Sequence, residues 1–540
     1  MAVLVVTALL YVPLAWAEFA WDDEALVVGN HVTGSLAHLG AWFSSDLWMT
    51  SAEPVVSGYY RPLMLASLWL DRLLWADSAA GHHLQNVAWH LLAVGALWAW
   101  LRRVVPGGAA VGAALFALHP VQTEAVAWVV ARNDLMAAAF GFVGLAALAP
   151  RSVGSVRLVV GALALAAACL SKEHAALLIL AVPLVDLARF GRPGDLRRWV
   201  AGLLAVAAFL ALRSAAGVAA GDLPVLAGLA VVDGRPLALP TWVAGRVMWP
   251  WPLSVGGTLE YLEPSLGLSA RALGAAALAG GLVVWRGGRT AAVGFLLAGA
   301  TFAPALLPLL TRGQLGERYF YLPLMGVALA VAAAAPSRPS RAFSASALLV
   351  AGLMAAGVRA RVPDWSSGLA LWQAAVRDTP NGHAHANLGF ELLRLGDGEA
   401  AAAWLGEALM DEPPFRDACV PLVLGSLKQG RVGVAAERAA FARTRGCFSV
   451  SGFPGVYASA MAQTGRWSLA EEAVALAAST DARAGVVDAA LAVRTRDTAR
   501  LQAVADRFGL APAALEGTAR QVLAASGWTE VEELQEEAQQ

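Results

Sequence analysis

The 540-residue sequence contains little charge, since only 15% of its residues are Asp, Glu, Lys or Arg. About a quarter of the residues in a soluble globular protein are charged. The mean hydropathy is +0.58, and 58% of the residues are hydrophobic. These values exclude an ordinary soluble enzyme and predict a polytopic membrane protein that also has a soluble domain. The net charge of −1 gives no basic field and no reason to expect a nucleic-acid partner.

Cysteine and lysine are scarce as well. The three cysteines, Cys169, Cys419 and Cys447, match no zinc-binding or redox spacing. We favour unpaired thiols, while a Cys419–Cys447 disulfide in an oxidising compartment stays open. Lys172 and Lys428 are the only lysines among the 39 basic residues, and this bias favours a GC-rich, bacterial genome. The sequence has no P-loop and no GxGxxG after a strand, so nothing indicates a soluble nucleotide-binding fold.

Long apolar runs, by contrast, are abundant and predict about eleven membrane-spanning helices. We interpret the first run, before Glu18, as a span, because it lacks the basic start of a signal peptide. The remaining runs lie near 84–101, 108–119, 135–149, 157–172, 174–187, 199–216, 268–285, 290–310, 319–335 and 342–358. The apolar segment 241–253 would break the alternation of loops and is interpreted as interfacial or re-entrant.

Arginine clusters occupy every second loop, which is the distribution expected of cytoplasmic loops. They are Arg102/Arg103, Arg151/Arg157, Arg189/Arg192/Arg197/Arg198, Arg286/Arg289 and Arg338/Arg341. The intervening segments are then predicted to face the periplasm or an organelle lumen. They are the opening loop 18–83, the turns 119–134 and 172–174, the loop 217–267, the segment 311–318 and everything after about 359.

After Arg361 the apolar runs give way to amphipathic helical patterns with a repeat. Gly396, Gly430 and Gly465 occur at the same place in this repeat, 34 and 35 residues apart. That period is typical of tetratricopeptide repeats. The sequence thus predicts a membrane domain over 1–358 and an α-solenoid with a helical cap over 359–540. Its concave face could bind a peptide or protein, or the array could only brace the membrane part or hold a dimer.

Ionisable residues concentrate in the predicted outer segments, where their cost at a membrane makes each a candidate functional group. Glu124 lies in an apolar stretch, and Arg132, eight residues later, is its expected partner on one helical face. Lys172 either pairs with Glu173 or binds an anion. Asp71 in the opening loop is interpreted as a solvated or capping residue.

Acids beside cations at a membrane edge favour transfer of a group from a lipid-linked phosphate. The cations would hold the phosphate and stabilise the charge that it gains on leaving. A carboxylate would take the proton from the acceptor hydroxyl as general base. No metal-binding spacing occurs, so no resident metal is expected, although the carboxylates could recruit a divalent ion.

Several motifs together resemble one known family. FAWDDEALVVGN, SGYYRPL, HHLQNVAWHLL, HPVQTEAVAWVVARNDL, SKEHA and ERYFYLPLMG occur in the order found in transmembrane-and-tetratricopeptide-repeat O-mannosyltransferases. The resemblance covers residues 17 to about 410. It implies an all-α GT-C glycosyltransferase with about eleven transmembrane helices, which uses a sugar linked to a lipid phosphate and inverts the anomeric centre.

The resemblance also implies residue roles. Asp22 would be the catalytic base, with Asp23 as its partner. Arg132, Lys172 and Arg318 would bind the donor phosphate. Glu124 and Glu173 would support the substrate site, and the clustering of outer polar residues adds Arg61, His90 and Tyr319 as further candidates for that support. Eukaryotic members transfer mannose from dolichyl phosphate mannose to Ser or Thr, but the short repeat array and bacterial composition leave the sugar, carrier and acceptor open here.

The sequence therefore predicts a glycosyltransferase of the bacterial inner membrane, with its active site and repeats in the periplasm, or in the endoplasmic reticulum lumen of a eukaryote. Its partners would be a polyprenyl- or dolichyl-phosphate sugar and a protein or glycan acceptor. A membrane-anchored tetratricopeptide scaffold for envelope assembly is the alternative, but it leaves the outer charges unexplained. A lipid-linked glycan transporter is disfavoured, because it would spread charges through the spans.

Overall fold

The computed structural model describes residues 2–52, 54–218, 238–248, 257–258, 266–306, 314–411 and 414–527. These residues are mostly helical, with one antiparallel pairing between the two-residue strands Gly257–Thr258 and Gln314–Leu315. The chain divides into two compact units, Met1–Asp378 and Thr379–Gln540. The boundary predicted at 358/359 would leave the last helix of the first unit, Gly368–Asp378, with the second.

The α-helices of the first unit are Ala2–Tyr11, Leu39–Ser44, Pro62–Trp75, Ala79–Val104, Ala109–Leu118, Thr123–Ala127, Arg132–Leu148, Ser155–Ser171, Ala181–Phe190, Leu196–Ala215, Ala238–Met248, Leu266–Phe302, Leu324–Ala334, Arg341–Arg361 and Gly368–Asp378. Its 3-10 helices are Val12–Trp16, Leu36–His38, Trp48–Thr50, Pro120–Gln122, Val129–Ala131, Glu173–Leu180, Ala303–Ala305, Glu317–Phe320 and Val362–Trp365. One π-helical turn, Glu24–Val28, follows the first span.

Helices occupy most of each predicted span within the described residues, whereas helix Pro62–Trp75 lies in a segment predicted as a loop. Within the described residues, three helical segments are long and apolar enough to cross a membrane, namely Val129–Leu148, Leu196–Ala215 and Arg341–Trp365. The predicted span 268–285 and the first part of 290–310 fall in helix Leu266–Phe302, which is broken at Gly288, where φ is +59°. Residues 307–310 lie outside the described residues. The count of about eleven spans stays a prediction. The described part of segment 241–253 belongs to helix Ala238–Met248, and the rest lies outside the described residues.

Large apolar side chains are exposed along several helices of the first unit. They include Leu9, Trp16, Val156, Leu163, Leu278, Trp285 and Leu348. A soluble surface would not expose so many, whereas lipid contacts them favourably. Helix Arg132–Leu148 is instead almost wholly buried and packs against helices Ala79–Val104 and Ser155–Ser171. The chain is thus an integral membrane protein with this helix at its centre.

The two ends of the central helix carry different sets of loops. The helix begins at Arg132, in a predicted outer turn, and ends at Leu148, whose carbonyl accepts a hydrogen bond from Arg198 at 2.9 Å. Arg198 also pairs with Asp186. A helix of 17 residues separates these ends by about 25 Å. The cluster around Arg198 and the turn that contains Arg132 therefore lie at opposite ends of this helix, and which end faces the cytoplasm stays a prediction.

The second unit consists of consecutive helices that pack in antiparallel pairs. They are Gly382–Arg394, Gly398–Met410, Cys419–Lys428, Val432–Thr444, Phe453–Gln463, Trp467–Leu476, Ala482–Arg494, Thr498–Phe508 and Pro512–Ala525, with 3-10 helices Arg416–Ala418 and Cys447–Ser449. The repeated glycines each occupy a turn between paired helices with positive φ, +87° at Gly396, +70° at Gly430 and +75° at Gly465. The assignment to tetratricopeptide repeats stays a prediction.

A disulfide joins two elements of the second unit. It links Cys419, at the start of a helix, to Cys447 in a 3-10 turn, with a Cα–Cα distance of 5.8 Å. The preference for unpaired thiols was therefore wrong. The residues are 28 apart in the sequence and meet through helix packing, which no spacing rule reports. Cys169 is a buried free thiol in the first unit.

Candidate functional site

The first outer loop is fastened to the second outer turn by Asp23. This side chain is fully buried, and its Oδ1 accepts the Val130 N–H at 3.0 Å while its Oδ2 accepts the Ala20 N–H at 3.1 Å. Burial raises the pKa of Asp23 to about 8, against the opposing effect of these N–H groups. Asp23 therefore acts on the backbone of two segments rather than on a surface that substrate can reach.

The neighbouring acids have different surroundings. Asp22 is half-buried, and Glu24 is exposed. Trp21, just before them, has a φ of +58°, a conformation that costs a bulky L-residue about 1 kcal/mol. Such strain persists where the surrounding structure enforces it, often at functional sites. Among these three acids, Asp22 has the partial exposure that a general base requires.

Arg318 lies near Trp21, the residue that precedes these acids. Its Nη1 donates to Glu124 Oε1 at 2.5 Å, and its guanidinium is 5.6 Å from the Trp21 ring, 5.0 Å from the Trp128 ring and 4.9 Å from the Tyr319 ring. Trp21 and Trp128 stack with centroids 4.5 Å apart. The first, second and fifth outer segments therefore meet at Arg318. The side chain keeps 15% exposure.

Glu124 does not pair with Arg132, so that expectation was wrong. The helix Thr123–Ala127 stops at Trp128, which is extended, and a new helix begins at Arg132. The eight-residue spacing therefore does not place the two side chains on one helical face. Both oxygens of the buried Glu124 carboxylate bind the fifth outer segment, since Oε1 accepts from Arg318 and Oε2 accepts the Glu317 N–H at 2.8 Å.

Arg132 instead enters a buried polar cluster with Asp71. The two form an ion pair with both side chains fully buried. Arg132 also donates from Nε to Asn86 Oδ1 at 2.7 Å and from Nη2 to the His82 carbonyl at 2.9 Å. Asp71 is thus not a solvated loop residue, and that interpretation was wrong. The phosphate-binding role of Arg132 stays a prediction, and its contacts favour positioning of the second outer turn.

Lys172 and Glu173 have separate partners. Lys172 Nζ donates to both oxygens of Asp134 at 2.6 Å, whereas Glu173 accepts from Arg61 at 3.3 Å and from the Tyr60 N–H at 3.1 Å. Lys172 has extended backbone angles after its helix ends, so consecutive side chains point to opposite sides. The alternative of a Lys172–Glu173 pair was therefore wrong.

Three cations from different segments nevertheless share one electrostatic environment. The charges of Arg61 and Arg318 act on Lys172, and the charge of Asp134 acts on Arg318. Each cation pairs with its own carboxylate, and in each pair the cation and the carboxylate belong to different outer segments. The arrangement is a network of alternating charges into which an anionic ligand could be admitted.

His90 lies deeper in the helix bundle. It is fully buried, and its Nδ1 is 2.7 Å from the Tyr321 hydroxyl. Its ring packs edge-to-face on Tyr11. Tyr321 belongs to the same outer motif as Arg318, so His90 links helix Ala79–Val104 to that motif. A role of His90 in supporting the substrate site stays a prediction.

Sequence reasoning missed Asp71, Trp21 and Trp128 as parts of this end of the protein. A signal for Asp71 was present, because it interrupts the apolar helix Pro62–Trp75, where an unpaired carboxylate is costly. No local pattern predicts that Trp21 and Trp128, 107 residues apart in the sequence, stack on each other. Among the described residues, no three His, Cys, Asp or Glu side chains are grouped to hold a metal ion.

Comparison with known proteins gives partial matches. The chain is 37% identical over 132 residues to Drosophila melanogaster protein O-mannosyl-transferase Tmtc1, covering 23% of this chain and 15% of that protein. It is 36% identical over 132 residues to Tmtc2 of the same species, covering 24% and 14%. It is 30% identical over 138 residues to Mus musculus protein O-mannosyl-transferase TMTC3, covering 25% of this chain and 15% of that protein. The chain thus matches only a minor part of each relative's length.

No family model matches the chain. A solved structure of ArnT from Cupriavidus metallidurans, bound to undecaprenyl phosphate, superimposes with a TM-score of 0.37 at 17% identity, covering 81% of this chain and 79% of that one. The sequence relatives carry the names that the motifs predict. Over about a quarter of its length, therefore, the chain resembles the transmembrane-and-tetratricopeptide-repeat O-mannosyltransferases.

Proposed function

We propose that this protein is a GT-C glycosyltransferase that moves a sugar from a polyprenyl- or dolichyl-phosphate carrier to a hydroxyl of Ser, Thr or a glycan. Mannose is the first candidate sugar, because the relatives are named protein O-mannosyl-transferases. One observation carries the proposal. The segments that contain Asp22, Arg318 and Lys172 meet around one charge network.

In the proposed reaction, Asp22 takes the proton of the acceptor hydroxyl as general base. The acceptor oxygen attacks the anomeric carbon, and the bond from that carbon to the phosphate oxygen breaks. The electron pair leaves with the lipid phosphate, and the anomeric centre is inverted because the acceptor attacks the face opposite the leaving group. Phosphate is a good leaving group and needs no protonated acid. The backbone bonds of Asp23 support Asp22 in this role, because they fix the loop without engaging substrate.

Arg318 and Lys172 would hold the donor phosphate and stabilise its developing charge. Arg318 has five N–H donors, and its bond to Glu124 uses Nη1. It can therefore keep Glu124 while another N–H meets the phosphate. Lys172 is more tightly engaged by Asp134, so it would act mainly through its charge. Arg132 would position the turn, and Arg61, Glu173 and Tyr319 would complete the network.

The site and the second unit are proposed to face the periplasm, or the lumen of the endoplasmic reticulum in a eukaryote. The Cys419–Cys447 disulfide supports this placement, since disulfides persist in oxidising compartments. The helix pairs of the second unit are proposed to bind the protein acceptor, a use typical of repeat arrays.

The test supplies purified protein with radiolabelled polyprenyl-phosphate mannose and a pool of Ser/Thr peptides. Wild type should transfer label, and Asp22→Asn should reduce the rate by about 100-fold or more. Glu24→Gln is the matched control. It also removes one carboxylate charge, but from an exposed side chain two residues after Asp22, and this variant should transfer label at the wild-type rate. Full transfer by Asp22→Asn would refute the base assignment. No transfer by wild type from any lipid-phosphate sugar would favour the scaffold.

A further inference from the structure

An apolar groove opens on the side of the first unit, away from the charge network. It has a volume of about 330 Å³ and lies among helices Ala79–Val104, Arg132–Leu148 and Ser155–Ser171. Its lining includes Ala99, Arg103, Ala147, Val156, Arg157 and Val160. The alanines make the depression, since larger side chains would fill the space between the helices. This volume lies within the range of small-molecule sites.

The groove has a charged end and an apolar remainder. Arg103 lies in the last turn of one helix and Arg157 in the first turn of another, and both side chains are exposed. Both belong to the loops predicted to be cytoplasmic. Val156 and Val160 are 77% and 44% exposed, so the groove opens toward the lipid.

The two arginines have no carboxylate partner within the described part of the chain. Arg103 donates to the Ala99 carbonyl at 2.7 Å, which leaves its positive charge uncompensated. Arg197 and Arg198 at the same end, by contrast, pair with Asp195 and Asp186. The groove therefore presents two uncompensated positive charges above an apolar slot.

A neighbouring aromatic contact marks the depth of this end in the membrane. Trp98 is 41% exposed, and the Arg102 guanidinium lies 4.8 Å from its ring centroid. Exposed Trp beside Arg is typical of the headgroup level of a bilayer. The charged end of the groove, one turn from this contact, then lies where lipid phosphates lie.

We propose that the groove binds an anionic glycerophospholipid, with its phosphate on Arg103 and Arg157 and one acyl chain along the alanine and valine lining. A ligand that fits must join an alkyl chain to an anion, and basic pockets between spans recognise anionic headgroups in this way. The site is separate from the proposed transfer reaction, since it lies at the opposite end of the central helix and shares no residue with the charge network.

The test is native mass spectrometry of the full-length protein with added phosphatidylglycerol or phosphatidylcholine. Wild type should retain phosphatidylglycerol preferentially, and Arg103→Ala/Arg157→Ala should weaken that retention about 30-fold. The matched control is Arg338→Ala/Arg341→Ala, which removes two exposed arginines of the same predicted side outside the groove. This control should bind as wild type does. Soluble glycerol phosphate at equal concentration should not displace the lipid.

Ala147→Trp separates the slot from the charges, because it fills the groove and keeps both arginines. It should lose phosphatidylglycerol while its thermal midpoint in phosphatidylcholine stays that of wild type. If Arg103→Ala/Arg157→Ala and Arg338→Ala/Arg341→Ala lose phosphatidylglycerol equally, the proposal is overturned, and unspecific surface charge explains the binding. Undiminished binding by Ala147→Trp, or by Arg103→Ala/Arg157→Ala, would overturn it as well, and displacement by glycerol phosphate would refute the acyl-chain contact.

Discussion

Arg318 and Glu124, which lie 194 residues apart, are joined by a 2.5 Å bond from Nη1 to Oε1. The carboxylate is almost fully buried, whereas the guanidinium keeps some exposure. Arg318 thus uses part of its hydrogen-bonding capacity to fix the fifth outer segment against the second. The remainder points among the aromatic rings near Asp22. One side chain therefore couples the assembly of the site to the recognition of an anion.

Arg318→Lys is expected to separate these two tasks. Lysine keeps the charge but lacks the planar fork that presents separate N–H groups to Glu124 and to a phosphate in fixed geometry. The rate of transfer from the lipid-phosphate donor should fall by about 100-fold, measured as kcat/KM. Arg341→Lys, at an exposed helix start far from the site, is the control and should leave the rate unchanged. A normal rate in Arg318→Lys would contradict the phosphate contact.

The buried pair of Arg132 and Asp71 is expected to matter for stability. Removal of one member leaves an uncompensated charge, which typically costs about 3–5 kcal/mol. Arg132→Ala and Asp71→Ala should therefore each lower the thermal midpoint in detergent, and the double variant should lose less than the sum of the two. Direct phosphate binding by Arg132 predicts another pattern, in which Arg132→Ala keeps wild-type stability and raises KM for the donor.

The helix positions could be predicted from the sequence, because apolar runs and helical periodicity are local signals. The pairing of charges could not. Neighbours in sequence such as Lys172 and Glu173 diverge on extended backbone, and Glu124 and Arg132 are separated by the break at Trp128. In each case a partner far along the chain satisfied the charge. Only the packing of helices decides which distant segments meet.

The repeats illustrate the same limit. Glycines mark three turns of the second unit, but an equivalent turn occurs at Arg496, which adopts a φ of +55°. The Asp497 N–H bonds to the Ala492 carbonyl there, as the Arg431 N–H bonds to the Ser426 carbonyl after Gly430. A search for glycine spacing passes over this turn, because tertiary packing enforces a conformation that the residue type does not favour.

The buried acid Asp23 is expected to make stability depend on pH. Its folded pKa of about 8 lies above the value near 3.9 of an unfolded chain. The folded state is therefore favoured at low pH, and this contribution is lost as the pH rises from about 4 through 8. The thermal midpoint in detergent should fall by about 5 °C or more across that window. Asp23→Asn should flatten the fall above pH 6.

A second buried acid sets the lower part of this profile. Burial raises the pKa of Asp71 to about 6, although Arg132 opposes the rise. The slope between pH 4 and 6 should therefore persist in Asp23→Asn. The control is Glu24→Gln, which removes an exposed carboxyl next to Asp23 and should keep the whole wild-type profile. An unchanged profile in Asp23→Asn would show that Asp23 is ionised throughout the range.

The turn at Gly430 allows a backbone effect to be measured without a steric one. Its φ is +70°, and a Cβ there would meet no atom within 4 Å. Gly430→Ala should destabilise the surrounding helix pair by about 1 kcal/mol, because an L-residue disfavours this conformation. Gly433→Ala, three residues later inside helix Val432–Thr444, is also sterically open and should stabilise by about the same amount. Hydrogen exchange followed by mass spectrometry over residues 419–444 reports both changes. Shifts of the same sign in the two variants would contradict the turn geometry, since the two alanines differ only in the backbone conformation that they must adopt.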